Sequence, residues 1–154
     1  MNYTLRPASN EDRNDIEQLV FGILSEYELK SDPNNTDSDL SDIKHEYLER
    51  GGTFEVLIDE NKKIVGSVGL YQINSTTREI RKMYLAANLR GQGLGRRLLG
   101  HALSKAKKLG YSRIELETAS ILIEAIALYE RYGFRRFERN HLSSRCDAGY
   151  YLEI

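Results

Sequence analysis

Apolar and polar positions follow two different spacings along the chain, and these spacings predict a mixture of strands and helices. A short strand is predicted over Tyr3 to Arg6. Apolar residues then recur every three or four positions from Ile16 to Tyr27, as on one face of a helix. The polar stretch Ser31 to Ser38 predicts a loop, and a weaker helical pattern over Leu40 to Leu48 stops before Gly51.

The rest of the chain predicts a hairpin of two strands, one further strand, and then helices and strands in alternation. The helix over Ile121 to Tyr132 is apolar nearly all round, so we expect it to be buried on several sides. The resulting order, β-α-α-β-β-β-α-β-α-β-β, predicts an α/β (α+β) fold with a mixed sheet covered by helices. The elements are the strands Phe54–Ile58, Ile64–Tyr71 and Glu79–Leu85, the helix Leu94–Leu109 before Gly110, the strand Arg113–Leu116, and late strands near Phe134–Arg139 and Gly149–Leu152.

Composition narrows the class of protein. A chain of 154 residues predicts one domain over 1–154, and 40% hydrophobic residues with 2 Pro argue against disorder. No apolar run reaches the roughly 18 residues of a membrane span, and the polar first residues lack an export signal. The single cysteine, Cys146, cannot form an internal disulfide. We therefore expect a soluble cytoplasmic domain with no membrane partner.

Charge is distributed unevenly along the chain. Residues 1–60 carry 15 acidic and 5 basic groups, whereas residues 78–113 carry 10 basic groups and one acid, Glu79. A segment this basic favours an anionic ligand, although two solvated faces of opposite sign would give the same counts. Aromatic residues do not interleave with the basic ones as they do on nucleic-acid surfaces, so no nucleic-acid partner is predicted.

A glycine-rich loop leads from a predicted strand into the strongest predicted helix. It reads RGQGLG from Arg90 to Gly95, and Arg96 and Arg97 follow it. Glycines let backbone N–H groups approach a ligand closely, and a helix N-terminus favours phosphate. A flexible strand–helix connection is the alternative interpretation.

Neither common nucleotide motif fits this loop. A P-loop would continue with Lys and Ser or Thr after Gly95, where this chain has Arg96 and Arg97. A dinucleotide fingerprint would have glycine in the place of Arg96, even though Glu115 lies near the spacing of its ribose-binding acid. A nucleotide-dependent oxidoreductase is therefore the weakest of the functions considered.

The spacing R-x-x-G-x-G of Arg90, Gly93 and Gly95 resembles the GNAT superfamily of acetyl-CoA-dependent N-acyltransferases. The strand EIRKMYL and the helix end ALYERYGF are similar to that superfamily too, and the resemblance covers nearly the whole chain. It implies a mixed, mostly antiparallel central sheet of about seven strands, flanked by about four helices, with acetyl-CoA between parting strands. It assigns contacts with the pantetheine arm and the pyrophosphate to Met83, Tyr84, Leu85, Arg90, Gly91, Gln92, Gly93, Leu94, Gly95 and Arg96.

Two residues are candidates for the chemistry of acyl transfer. In the family pattern the tyrosine of L-Y-E-x-x-G-F lies beside the sulfur, so the resemblance makes Tyr129 the acid that protonates the leaving thiolate. The alternative is that Tyr129 has no role in the chemistry and only packs against other apolar side chains. Glu79 is the candidate base, since a glutamate near this strand position can activate the amine through water in relatives. A salt bridge to Arg78, Arg81 or Lys82 would explain it equally well.

Other residues bear on the ligands. Leu122 replaces the asparagine of many relatives, which removes one amide contact with the cofactor, and Arg131 is either a contact with the 3′-phosphate or a solvated charge. Cys146 has no implied catalytic partner and is interpreted as a buried or incidental thiol; the alternative is that Cys146 and Asp147 border the acceptor pocket. No spacing of the histidines indicates a metal site; they are His45, His101 and His141.

The acceptor is expected to be an amine of a small molecule or peptide. The loop from Ser31 to Asp42 is rich in aspartate, which suggests either an electrostatic funnel for an amine or plain solubility. Relatives are often homodimers, and that analogy leaves a homodimer open. The alternative to an enzyme is an acyl-CoA sensor or regulatory module of the same fold.

Overall fold

The computed structural model describes residues 2–139 and 142–154, and its elements follow the predicted order. Helices α1 to α3 and strands β1 to β7 have these bounds: β1 Thr4–Pro7, α1 Arg13–Glu26, β2 Thr53–Ile58, β3 Ile64–Gln72, β4 Thr77–Leu85, α2 Leu94–Lys108, β5 Arg113–Thr118, α3 Ile123–Arg131, β6 Arg135–Phe137 and β7 Ala148–Glu153. The weaker predicted helix is two short turns, a 3₁₀ turn at Ser38–Ser41 and a π turn at Lys44–Leu48. Between them the backbone of Asp42 is not helical, with φ of −150° and ψ of 75°, and its carboxylate accepts a hydrogen bond from the backbone N–H of His45, which interrupts the helix.

Within the described ranges, seven strands form one sheet in the order β1-β2-β3-β4-β5-β7-β6. Neighbouring strands are antiparallel except β4 and β5, which pair in parallel from Thr77 to Glu79 and from Arg113 to Glu115. Beyond Glu79 the two strands diverge into a V. The predicted mixed, mostly antiparallel sheet is thereby confirmed.

A bulge in β4 accompanies this divergence. The register with β3 shifts between Ser67 and Gly69, so Lys82 and Met83 together lie opposite Val68. Lys82 adopts φ of 53°, and its carbonyl accepts a hydrogen bond of 2.6 Å from the Ser67 hydroxyl. An extra residue bends its strand locally, which aims the second half of β4 away from β5.

Among the described residues, two clusters of buried side chains cover the two faces of the sheet. α2 and α3 pack on one face with Leu57 of β2, whereas α1 and the turns near Leu40 pack on the other with Phe54. We call these faces the α2 face and the α1 face. No helix in the ranges 2–139 and 142–154 is both long and apolar enough to cross a membrane.

The expectation that α3 is buried on several sides is wrong. Its first residue, Ile123, is 73% exposed, and of its side chains Tyr129 is buried. Apolar residues all round a helix do not identify buried sides when part of the helix borders a cavity, as the first turn of α3 does.

Arg78 is buried at one end of the sheet and does not line the cavity. It is 1% exposed, and its guanidinium donates to the carbonyl oxygens of Gly51 at 3.0 Å and Asn74 at 2.9 Å while lying over the ring of Tyr111. Burial lowers its pKa to about 10, so it remains charged at neutral pH. The guanidinium satisfies turn carbonyls at the end of the sheet away from the V.

Candidate active site

A cavity of about 1160 Å³ lies in the V between β4 and β5. Drug-sized ligands usually occupy about 300–1,000 Å³, so the volume suits a long ligand together with a second, smaller one. Its wall combines the second half of β4, the glycine loop, the first turn of α3, and the segments that contain Thr36 and Arg145. On its β5 side, β4 has no partner strand beyond Glu79, although β3 still pairs with its other edge as far as Leu85. Residues Met83 to Leu85 line the cavity.

The glycine loop forms an open cradle at the start of α2. Gly91 and Gly93 have φ of 78° and 82°, and a Cβ at either position would meet no atom within 4 Å. Gly93 is the N-cap of α2, whose first N–H groups have no intrahelical acceptor. Glycine at both positions therefore leaves backbone donors uncovered on the cavity side, and this arrangement fits a phosphate group.

Eight of the ten predicted cofactor residues line the cavity. Gln92 and Leu94 do not: the Gln92 amide donates to the carbonyl of Asn88, and the Leu94 side chain is buried in the core on the α2 face. A leucine at the first position of an amphipathic helix is needed for packing, which the motif alone does not reveal. The eight lining residues are Met83, Tyr84, Leu85, Arg90, Gly91, Gly93, Gly95 and Arg96.

The side chain of Arg90 ties the glycine loop to α1. Its guanidinium contacts the Glu26 carboxylate at 2.5 and 3.2 Å and the carbonyl of Leu85 at 3.2 Å. Burial lowers the pKa of Arg90, but the hydrogen bond to Glu26 and the charges of Tyr27, Glu26 and Glu124 together outweigh burial, and the pKa is raised overall. Arg96 and Arg131 are exposed at the cavity margin, where a phosphate would meet them.

Tyr129 lies inside the cavity on the last turn of α3. It is 5% exposed, and its ring packs beside Phe134 and Tyr150 with centroids 5.8 and 6.5 Å apart. Burial raises its pKa, and nearby Tyr84 and Cys146 raise it further. The phenol is thus held in its protonated form, as a hydrogen-bond donor must be.

The side chain of Tyr84 also faces the cavity, which the resemblance, concerned with its backbone, does not imply. Burial raises the pKa of Tyr84 to about 12, although Arg145, within hydrogen-bonding distance of its hydroxyl, works in the opposite direction. Cys146 lines the same region and burial raises the pKa of its thiol. A neutral thiol is a weak nucleophile, so this environment gives no support to covalent catalysis.

Glu79 is a buried ion-pair partner at the vertex of the V. Its carboxylate contacts Arg81 on one oxygen and Arg139 at 2.7 Å on the other. Of the three cations considered from the sequence, Arg81 is therefore a partner, whereas Arg78 and Lys82 are not. A carboxylate offers about four lone-pair sites, so Glu79 can accept one more hydrogen bond.

Arg139 is a site residue that sequence reasoning missed. It follows β6 and reaches across β7, where a Cβ at Gly149 would lie 2.8 and 2.9 Å from its Cγ and Cδ atoms. Its guanidinium then meets Glu79 and also Glu117, the latter at 3.5 Å. A glycine in a strand, here Gly149 of β7, indicates that another group passes close to the backbone, but it does not identify which residue that is.

The acidic loop before β2 is neither a funnel nor merely a solvated surface. Asp37 and Asp39 are 2% and 6% exposed, and both contact Lys82 of the β4 bulge, at 3.4 and 3.1 Å. Charged residues at such low exposure are stable because they are paired. Asp42, in contrast, is exposed.

Metal ligands are a separate question. In the part of the chain that the structure describes, no group of three His, Cys, Asp or Glu side chains is placed to hold a metal ion. His141 lies outside the described residues.

Comparison with known proteins identifies this architecture. The profile of the Acetyltransferase (GNAT) family matches residues 19–134. Uncharacterized N-acetyltransferase YjgM of Escherichia coli K12 is 30% identical over 139 residues, covering 87% of this chain and 83% of that protein.

Solved structures agree with the profile. A GNAT-family acetyltransferase from Staphylococcus aureus Mu50 superposes with a TM-score of 0.93 at 24% identity, covering 99% of both chains. The phosphinothricin acetyltransferase of Sinorhizobium meliloti in complex with AcCoA gives a TM-score of 0.78 at 19% identity, covering 100% of this chain and 89% of that one. This chain is an acetyltransferase and belongs to the GNAT family.

Proposed function

We propose that the protein transfers the acetyl group of acetyl-CoA to a primary amine of a small molecule or peptide, by direct attack with both substrates bound. The observation that carries this proposal is the arrangement of the cavity, which has a glycine cradle at its mouth and Tyr129 inside. Acetyl-CoA supplies an activated acetyl group as a thioester.

The residues present fit that co-substrate. The backbone N–H groups around Gly91 and Gly93 suit the pyrophosphate, and Arg96 adds positive charge beside them. The edge of β4 that faces β5 has no partner strand from Met83 to Leu85, and backbone groups on that edge would suit the amides of the pantetheine arm. Leu122 contributes an apolar contact where many relatives have an amide.

Proton transfer is assigned to two side chains. A free amine with pKa near 10 is mostly protonated at neutral pH, so it must lose a proton before it attacks. Glu79 borders the cavity and is the proposed acceptor of that proton through water, in addition to its ion pairs. Tyr129 holds a proton on its hydroxyl and is the proposed donor to the departing thiolate.

Replacing Gly93 with alanine should weaken acetyl-CoA binding at least about tenfold, which corresponds to about 1.4 kcal/mol. The new methyl group would occupy the cradle, where the structure leaves open space. Gly110→Ala is a matched control, since Gly110 has a similar φ of 88° and similar open space at the other end of α2. Isothermal calorimetry with acetyl-CoA, CoA and NAD checks both variants. Absence of CoA binding by the wild type would refute the proposed function.

Glu79→Gln should lower turnover by about a hundredfold at neutral pH while acetyl-CoA affinity stays the same. Glutamine keeps the shape of the side chain but cannot take a proton from the amine. The check is initial rate at saturating acetyl-CoA, together with a denaturation curve for each protein. A variant that loses stability yet keeps its full rate would show that Glu79 acts as an ion-pair partner and not as a base.

An acyl-CoA sensor of the same fold is the second candidate. A sensor would have the same glycine loop, so measurements of acetyl-CoA binding do not distinguish a sensor from an enzyme. Multiple turnovers of acetyl-CoA with any amine exclude it.

A further inference from the structure

Two chain segments meet at the V from opposite sides. The guanidinium of Arg145, in the segment before β7, forms two hydrogen bonds to the Asp37 carboxylate, in the loop after α1, at 2.8 and 2.6 Å. Arg145 also donates to the carbonyl of Lys30 at 3.3 Å. We call this contact the Arg145–Asp37 bridge.

Each end of the bridge is fixed to a different arm of the V. Asp37 contacts Lys82 of β4 at 3.4 Å and accepts from the backbone N–H of Asp32 at 2.8 Å. On the other arm, the segment that carries Arg145 is held to β5, because the N–H of Asp147 donates to the carbonyl of Thr118 at 3.1 Å. The bridge therefore spans the gap between the diverging strands.

The bridge lies on the α1 face, opposite the helix that the glycine loop begins. The loop that carries Asp37 continues into Leu40 and Tyr47, which pack with α1. Under the bridge are Tyr84, within reach of Arg145, and the Cys146 thiol, both of which line the cavity. The V is thus left open toward the glycine loop and crossed by an ion pair on its other face.

Burial makes this contact persistent. The side chain of Asp37 is 0% exposed and that of Arg145 is 11% exposed. A bidentate pair between guanidinium and carboxylate is among the stronger hydrogen-bonded contacts, and separating a buried one leaves both charges uncompensated. Exposed ion pairs open readily, whereas this one should stay closed most of the time.

We propose that the acceptor approaches from the α1 face, opposite the glycine loop, and that the Arg145–Asp37 bridge narrows the cavity there, so that the acceptor is a small free amine and not a residue of a folded protein. This inference rests on the proposed acetyl transfer, because it concerns the second substrate of that reaction. A side chain projecting from a folded protein would bring its surface against the bridge, whereas a small amine has to pass only through the remaining opening.

Cys146 offers a direct test, because it is the one cysteine of the chain and lines the cavity beside the bridge. The rate of its alkylation by N-ethylmaleimide is compared with the rate for a long polyethylene glycol maleimide, which has the same reactive group. The comparison uses the wild type, Arg145→Leu, Asp37→Asn and the control Arg135→Leu, at an exposed position of β6. No acceptor has to be known, and no cofactor is added.

In the wild type we expect the small reagent to react and the long one to be slower by a factor on the order of ten or more, because its chain must either thread the opening toward the glycine loop or wait for the bridge to open. Arg145→Leu and Asp37→Asn should each remove most of the difference between the two alkylation rates, and Arg135→Leu should leave that difference unchanged. Equal rates in the wild type, an unchanged ratio in both bridge variants, or no reaction with N-ethylmaleimide would each overturn the proposal.

A second measurement separates this inference from the proposed function. The wild type is incubated with acetyl-CoA and a folded, lysine-rich protein, and acetylation is read by mass spectrometry. Efficient acetylation of that protein would overturn the small-amine inference but support acetyl transfer. Failure to bind CoA would remove the proposed function, while the alkylation rates would still report whether the bridge closes the cavity.

Discussion

Replacing Tyr129 with phenylalanine should lower turnover by about a thousandfold and leave the affinity for acetyl-CoA nearly unchanged. The ring would keep its packing beside Phe134 and Tyr150, so the loss is confined to one hydroxyl group. Burial raises the pKa of Tyr129 above its usual value near 10. The hydroxyl is therefore protonated throughout the neutral range and can donate to a leaving thiolate. Stopped-flow or steady-state detection of released CoA measures the rate.

Tyr151→Phe is the matched control, because Tyr151 of β7 packs beside Phe137 outside the cavity. It should leave both turnover and binding near the wild-type values. Full activity of Tyr129→Phe with normal binding would mean that Tyr129 packs the core and that another group, or water, protonates the thiolate. The raised pKa also predicts that Tyr129 causes no loss of rate between about pH 7 and 10.

The glycine loop was predictable from sequence because its constraint is local. Gly93 has a backbone conformation that other residues rarely adopt, and it directly precedes an amphipathic helix. Strand and helix order followed from apolar spacing in the same way. The motif assigned Leu94 to the cofactor, although Leu94 also begins the apolar face of the predicted helix, and in the structure its side chain packs in the core.

The charged residues of the site were not predictable from sequence in the same way. Arg139 meets Glu79 across 60 positions of sequence, and Arg145 meets Asp37 across 108. Nothing in a charged residue's local sequence distinguishes a solvated side chain from a buried one. Both pairs form because segments that are distant in sequence come together around the point where β4 and β5 diverge.

Asp37→Asn should lower the free energy of unfolding by about 3–5 kcal/mol at neutral pH, the cost typical of breaking a buried ion pair from one side. The asparagine side chain would leave Arg145 without its carboxylate, and Lys82 would keep Asp39 alone. Urea or guanidinium denaturation followed by circular dichroism gives the value. The change should also loosen the loop after α1, because Asp37 accepts a backbone hydrogen bond there.

The stability lost in Asp37→Asn should be smaller in acid than at neutral pH. Burial by itself raises the pKa of Asp37, but the hydrogen bonds from Arg145 and the Asp32 backbone, together with the charges of Lys82 and Arg145, outweigh burial, and the pKa lies below the ordinary 3.8. A carboxylate with a lowered folded-state pKa contributes stability that is complete above the unfolded value and is lost as the pH falls through the folded one. The difference in the free energy of unfolding between the wild type and Asp37→Asn should therefore be constant from about pH 5 to 7 and become smaller below about pH 4. Asp42→Asn, in the same loop but exposed, should cost much less, because the asparagine oxygen can still accept the hydrogen bond from the His45 backbone. If this difference in stability does not become smaller in acid, the stability lost in Asp37→Asn comes from altered packing and not from the charge of Asp37.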